Sequence, residues 1–156
     1  MKVMAIDPGN EQSAFVTVDS DNYHVIMQGK HENRNGIILL QETDYQVVVI
    51  EAIASYGMAV GKEVFETCIW VGRFMQLALM LGKEVHLVYR KDVKLNLCDS
   101  PRAKDGNVIQ ALKDRFGDKG TKASPGFFYG FSKDVWQAYA VVVTWIDDMK
   151  AKGVIT

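Results

Sequence analysis

Apolar residues in this chain fall into short alternating or continuous blocks, and the blocks predict ten elements. Residues 2–7 read as a buried strand ending at Asp7-Pro8-Gly9. Residues 12–18 and 23–28 flank Asp19-Ser20-Asp21-Asn22 in a hairpin pattern. Residues 34–43 fit a short helix. The run Val47-Val48-Val49-Ile50, ending at Glu51, is of the type covered on both faces at the centre of a sheet. Residues 62–81 predict a long helix whose apolar residues cover more than the one stripe a surface helix needs. Such a helix packs against the sheet on one side and against another helix, or a second subunit, on the other. Gly82 is a fitting stop. Residues 84–89 read as the next strand, with helical patterns at 90–97 and 104–116. The glycine-rich stretch 117–131 is a loop. Ser132 is an N-cap for a last helix over 133–151, apolar along Val135, Tyr139, Val142 and Ile146. The order β-β-β-α-β-α-β-α-α-α describes one α/β domain with a mixed sheet.

Composition narrows this further. A chain of 156 residues suits one domain with a real core. No apolar stretch is long enough to span a membrane, and the opening strand meets a charge at Asp7 too early for a signal peptide. Cys68 and Cys98 have no partners at metal-ligand spacing, which argues against a zinc site or disulfide framework and fits a reducing cytoplasm. The net charge of −1 says little, but its distribution is uneven. Residues 1–60 sum to −5, from three basic and eight acidic side chains, whereas 101–133 sum to +4 from seven and three. A cationic segment on a neutral chain is what a phosphate-contacting surface looks like, and also what a solvated loop and helix face look like.

Three acids stand out by position. Asp7 and Glu51 each end an apolar strand, and Asp134 falls in the first turn of the last helix. Sites in open α/β sheets gather beyond the carboxyl ends of the strands. If the first and fourth strands are neighbours, Asp7 and Glu51 lie side by side there. Clustered carboxylates repel unless a cation joins them, and hard oxygen ligands suit Mg²⁺ or Mn²⁺. Taken singly, Asp7 could be a turn residue, Glu51 a solvent-facing strand end and Asp134 a complement to the helix dipole.

Together the motifs resemble the RuvC family of Holliday junction resolvases. They are Met4-Ala5-Ile6-Asp7-Pro8-Gly9, Val49-Ile50-Glu51 and Asp134-Val-Trp-Gln-Ala-Tyr-Ala140. Tyr56-Gly57-Met58, the helix segment Thr67 to Phe74, and Ala103-Lys104-Asp105 through Arg115-Phe116-Gly117 resemble the bacteriophage members in particular. The resemblance implies an RNase H-like fold with a five-stranded mixed sheet and a homodimer acting on four-way junctions. It also implies two Mg²⁺ or Mn²⁺ ions per active site, held by Asp7, Glu51 and Asp134, with no organic cofactor. One departure is Gln137, where bacterial RuvC carries a second acid one turn after the first. Its carbonyl oxygen could ligate an ion without adding charge. Asp147 and Asp148 lie about three turns further on, too far to substitute.

Lys104, Lys113, Arg115, Lys119, Lys122 and Lys133 are the expected phosphate contacts, and Lys104 sits near the place where RuvC proteins carry lysines close to the scissile strand. Phe127, Phe128, Tyr129 and Phe131 could stack on unpaired bases, or pin the loop to the core. Tyr56 is a stacking candidate or a half-buried tyrosine. Three other functions share the fold class. A YqgF-like RNA-processing nuclease also starts with Asp-x-Gly, but the tryptophan-bearing helix and the Asp134 motif fit the phage resolvases better. An actin-like ATPase needs two such domains. A catalytically silent branched-DNA-binding protein is compatible with Gln137.

Overall fold

The computed structural model describes all residues, Met1–Thr156. The strands are β1 (Lys2–Asp7), β2 (Gln12–Asp19), β3 (Val25–Glu32), β4 (Val47–Ala52) and β5 (Glu84–Tyr89). The helices are α1 (Asn33–Glu42), α2 (Lys62–Met80), α3 (Arg90–Cys98), α4 (Asp105–Phe116) and α5 (Lys133–Ala151). They follow the order that the apolar pattern predicts. The strands form one sheet in the order β3-β2-β1-β4-β5. The β2 strand is antiparallel to both β1 and β3, whereas β4 runs parallel to both β1 and β5. No helix is long and apolar enough to cross a membrane.

The twofold period of the strands divides the core into two layers. Val3, Ala5, Ala14, Val16, Val47, Val49 and Val88 point to one face, where they pack on α5, with α4 beyond. Met4, Ile6, Phe15, Val48 and Ile50 point to the other, against Leu40 of α1 and Phe74 and Ala78 of α2. Every residue of α5 from Val135 to Ile146 is buried. A helix apolar on all sides has to be covered on all sides. The sheet covers one side of α5, and α3 and α4 cover the other.

Two elements differ from the sequence reading. The β3 strand starts two residues later than expected and runs on to Glu32. It is an edge strand, so Gln28, Lys30 and Glu32 can be polar while its backbone still pairs with β2 out to Gln12–Glu32. Ser132 occupies the N-cap position of α5, but its side chain makes no capping hydrogen bond. The wide apolar face of α2 has α1 on one side, and leaves Phe65 and Ile69 61% and 63% exposed on the other.

Candidate active site

Strand register builds the site. Val3 and Ala5 of β1 and Val47 and Val49 of β4 face α5, so the next residue in each row, Asp7 and Glu51, faces it too. The parallel pairing of Ile6 with Ile50 puts these two carboxylates side by side one residue further on. On the other flank Asp7 pairs with Ala14, and Ala14 with Lys30. A single row across the sheet thus carries Lys30, Ala14, Asp7 and Glu51, under the first turn of α5.

The loop that ends β1 is tied down. Gly9 N–H donates to Ser13 Oγ at 3.1 Å, Ser13 Oγ–H donates to Asn33 Oδ1 at 2.6 Å, and Asn33 Nδ2–H donates to the Gly9 carbonyl at 2.8 Å. Ser13 and Asn33 are both buried. A Cβ on Gly9 would lie 2.2 Å from the Gln12 carbonyl oxygen, so only glycine fits this turn.

The electrostatics are those of carboxylates pressed together. Burial, the Glu51 carboxylate and then the Asp134 carboxylate push the Asp7 pKa up to about 8, against a smaller opposing pull from Arg90. Burial raises Glu51 as well, with Arg90 opposing. Asp134 is held by Lys30, whose Nζ lies 2.5 Å from Oδ2. Arg90, the first residue of α3, reaches three groups. Its Nη1–H donates to Gln137 Oε1 at 2.8 Å and lies 3.7 Å from Glu51 Oε2, and its Nη2 is paired with Asp105. Beyond that ion pair, Glu51 Oε2 has no hydrogen-bond partner although it is buried, and neither does Gln137 Nε2.

Asp7, Asp134, Lys30 and Asn10 line a cleft of about 280 Å³. A second cleft of about 360 Å³ lies beside it, lined by Tyr56, Arg90, Lys91, Lys94 and Pro101. The largest cleft, about 550 Å³, lies toward the far end of α5 around His86, Trp145 and Asp147 and contains none of the expected site residues. The acids do not form a finished metal cage, since no three His, Cys, Asp or Glu side chains are grouped closely enough. The chemistry of the donor set nevertheless fits a hard divalent ion. Asp7 has no cation of its own at contact distance, and Glu51 presents an unpartnered buried oxygen. With Asp134 released from Lys30 and turned toward them, the three would make an all-oxygen set.

The expected DNA contacts divide into two groups. Lys104, Lys119, Lys122 and Lys133 make no salt bridge and are available to phosphate. Lys113 is half-buried over the Trp136 ring and pairs with Asp118 at 3.7 Å. Arg115 is committed elsewhere. Its Nη1 and Nη2 donate to the Asp147 carboxylate at 2.7 and 2.8 Å, and its guanidinium lies over the Tyr23 ring. Asp147 also accepts from Tyr23 and Asn96, so this end of α5 is a structural ion pair. Phe128 and Phe131 are buried against Trp136 and Tyr139, and Phe127 stacks on Phe116. These rings pin the loop, and only Tyr129 stays exposed. Tyr56 is 62% exposed, with a positive φ of 51° that turns its loop outward beside Lys94.

Sequence reasoning did not single out Lys30, Arg90, Lys94, Asp105 or the Ser13–Asn33 pair. Arg90 could have been found, because it directly follows β5 and the carboxyl ends of parallel strands had already marked Asp7 and Glu51.

This sheet order, with α5 packed across the sheet centre and acids at the strand ends, defines an RNase H-like domain. No family model matches the sequence, and no curated protein does. Among solved structures, RuvC of Thermus thermophilus superposes with a TM-score of 0.76 at 14% identity, covering 98% of this chain and 97% of that one. The same organism's RuvC in complex with Holliday junction substrate matches at 0.74 and 14%, over the same shares of both chains. The chain has the RuvC fold over 98% of its length.

Proposed function

We propose that this chain is a metal-dependent, structure-specific endodeoxyribonuclease that hydrolyses phosphodiester bonds in Holliday junctions and other branched DNA. The observation that carries the reading is the convergence of Asp7, Glu51 and Asp134 at one end of the sheet, with Asp7 driven to about 8 by burial and by the other two carboxylates. Such a group invites a Mg²⁺ or Mn²⁺ ion, which supplies Lewis-acid activation of water and phosphate when bound. The chain's own part is to hold the ligands still. The Gly9–Ser13–Asn33 network fixes Asp7, and the β4 strand fixes Glu51. Tyr56 and Lys94 line the neighbouring cleft, where an unpaired base and its phosphate would lie. Lys119 and Lys122 extend the cationic surface along the loop.

A RuvC neighbour was solved with Holliday junction DNA, which supports branched DNA as the partner. A homodimer would bring two such sites to one junction, and the exposed Phe65 and Ile69 of α2 suit an apolar interface. On the resemblance of Tyr56-Gly57-Met58 and the α2 segment to bacteriophage resolvases, the activity we propose would serve phage DNA recombination or processing in the host cytoplasm. Incubation with labelled four-way, forked and linear DNA in Mg²⁺ or Mn²⁺ tests the reading. Metal-dependent cutting confined to branched substrates supports it, and no cutting of any of them refutes it. A second reading, a branched-DNA-binding protein without catalysis, is favoured by Lys30 and Arg90, which already neutralise two of the acids. Junction binding without cleavage is its signature.

A further inference from the structure

The carboxylate end of the sheet holds two cations of the protein's own, and they are not equivalent. Lys30 stands on the edge strand β3, 43% exposed, with Asp134 as its one ionic partner. Arg90 is 25% exposed and is gripped by Glu51, Gln137 and Asp105 from three elements. A planar guanidinium fixed at both terminal nitrogens stays in place, whereas a lysine on a flexible stem can leave.

Gln137 decides what Arg90 is for. It is 6% exposed and sits one turn into α5 from Asp134. Its carbonyl oxygen, the only atom of the side chain able to ligate a cation, accepts the Arg90 hydrogen bond. What remains is an unpartnered buried N–H₂ group, which donates and cannot ligate. The Arg90 Nη1 therefore sits where Glu51 and Gln137 together would have held an ion. Asp7, Glu51, Asp134 and Asp105, set against Lys30 and Arg90, leave a formal charge of −2, which one divalent ion neutralises.

We propose that Arg90 permanently takes the place of a second divalent cation. Each chain then binds a single Mn²⁺ or Mg²⁺, on the carboxylates of Asp7, Asp134 and Glu51. The inference rests on the metal-nuclease reading and departs from the two-ion arrangement that the RuvC resemblance implies.

The test is Mn²⁺ stoichiometry, read from the loss of the free-ion electron paramagnetic resonance signal as the whole chain is titrated without DNA. Circular dichroism checks that each variant is folded. One Mn²⁺ per wild-type chain is expected, one for Arg90→Lys, and two for Arg90→Met, which frees the Gln137 carbonyl and removes a positive charge. Gln137→Glu keeps the guanidinium, gains a salt bridge to it and should stay at one, so the idea remains testable if Arg90→Met does not fold. Two ions of similar affinity in the wild type, two in Gln137→Glu, or one in a folded Arg90→Met would overturn the proposal. A wild type that binds no Mn²⁺ at all would instead remove the metal-nuclease reading on which it rests.

Discussion

Replacing Asp7 by asparagine should stabilise the metal-free protein in alkaline buffer while removing its activity. Burial, and after it the Glu51 and Asp134 carboxylates, push the Asp7 carboxyl from 3.8 up to about 8. The folded state therefore holds this proton more tightly than the unfolded chain does. Stability from this source is complete at about pH 4 and is lost as pH rises through about 8. The span, at about 1.4 kcal/mol per pH unit, sets a limit on the order of 5 kcal/mol. Movement of Lys30 toward Asp7 would reduce that to a few kcal/mol, or roughly 10 °C in melting temperature for a chain of this size. Glu51, also raised by burial, adds a drop of the same sign. The carboxyls held low, Asp19, Asp44 and Asp147, lose their contribution only in more acidic solution and leave this window clear. The assay is thermal or urea unfolding in chelator from about pH 5.5 to about pH 8.5. Wild type should weaken across that range, and Asp7→Asn much less, ending as the more stable protein. Saturating Mn²⁺ at the alkaline end should rescue wild type and not the variant. Parallel pH profiles for the two proteins would refute the account of a buried, crowded Asp7 carboxyl.

Arg115→Ala should cost about 2 kcal/mol, because it leaves the half-buried Asp147 without its bidentate partner, and should not change junction affinity. Unfolding curves and binding isotherms on the same preparation check both halves. Lys119→Ala with Lys122→Ala should leave the fold intact and make the salt dependence of junction binding shallower, by about 0.9 in log–log slope for each lost phosphate contact. An unchanged slope would place the cationic surface elsewhere. Tyr56→Ala should weaken binding to four-way DNA by about tenfold, in line with the loss of one stacked base, and leave linear duplex binding alone.

Much of this site was legible in the sequence because it follows from local rules. Alternation along β1 and β4 identifies which face each residue takes, so Asp7 and Glu51 had to point the same way once the strands paired. A first-turn acid on the last helix was visible as Asp134. The partners were not legible. Lys30 reaches Asp134 across 104 positions of sequence, and Arg90 reaches Gln137 across 47, through packing that no periodicity reveals. The cationic segment 101–133 was read as one surface by its charge sum. Folding divides it, sending Arg115 to Asp147 and leaving Lys119 and Lys122 free. Likewise the four aromatics of the loop look alike in sequence, yet burial takes Phe128 and Phe131 into the core and leaves Tyr129 outside.

The most direct test is cleavage of a labelled four-way junction by wild type, Asp7→Asn, Glu51→Gln and Asp134→Asn, with binding to the same junction measured alongside. The account predicts that wild type cuts only when Mg²⁺ or Mn²⁺ is present, and that each variant binds the junction yet fails to cut it. Cleavage by wild type in chelator, or undiminished cleavage by any of the three variants, would contradict it.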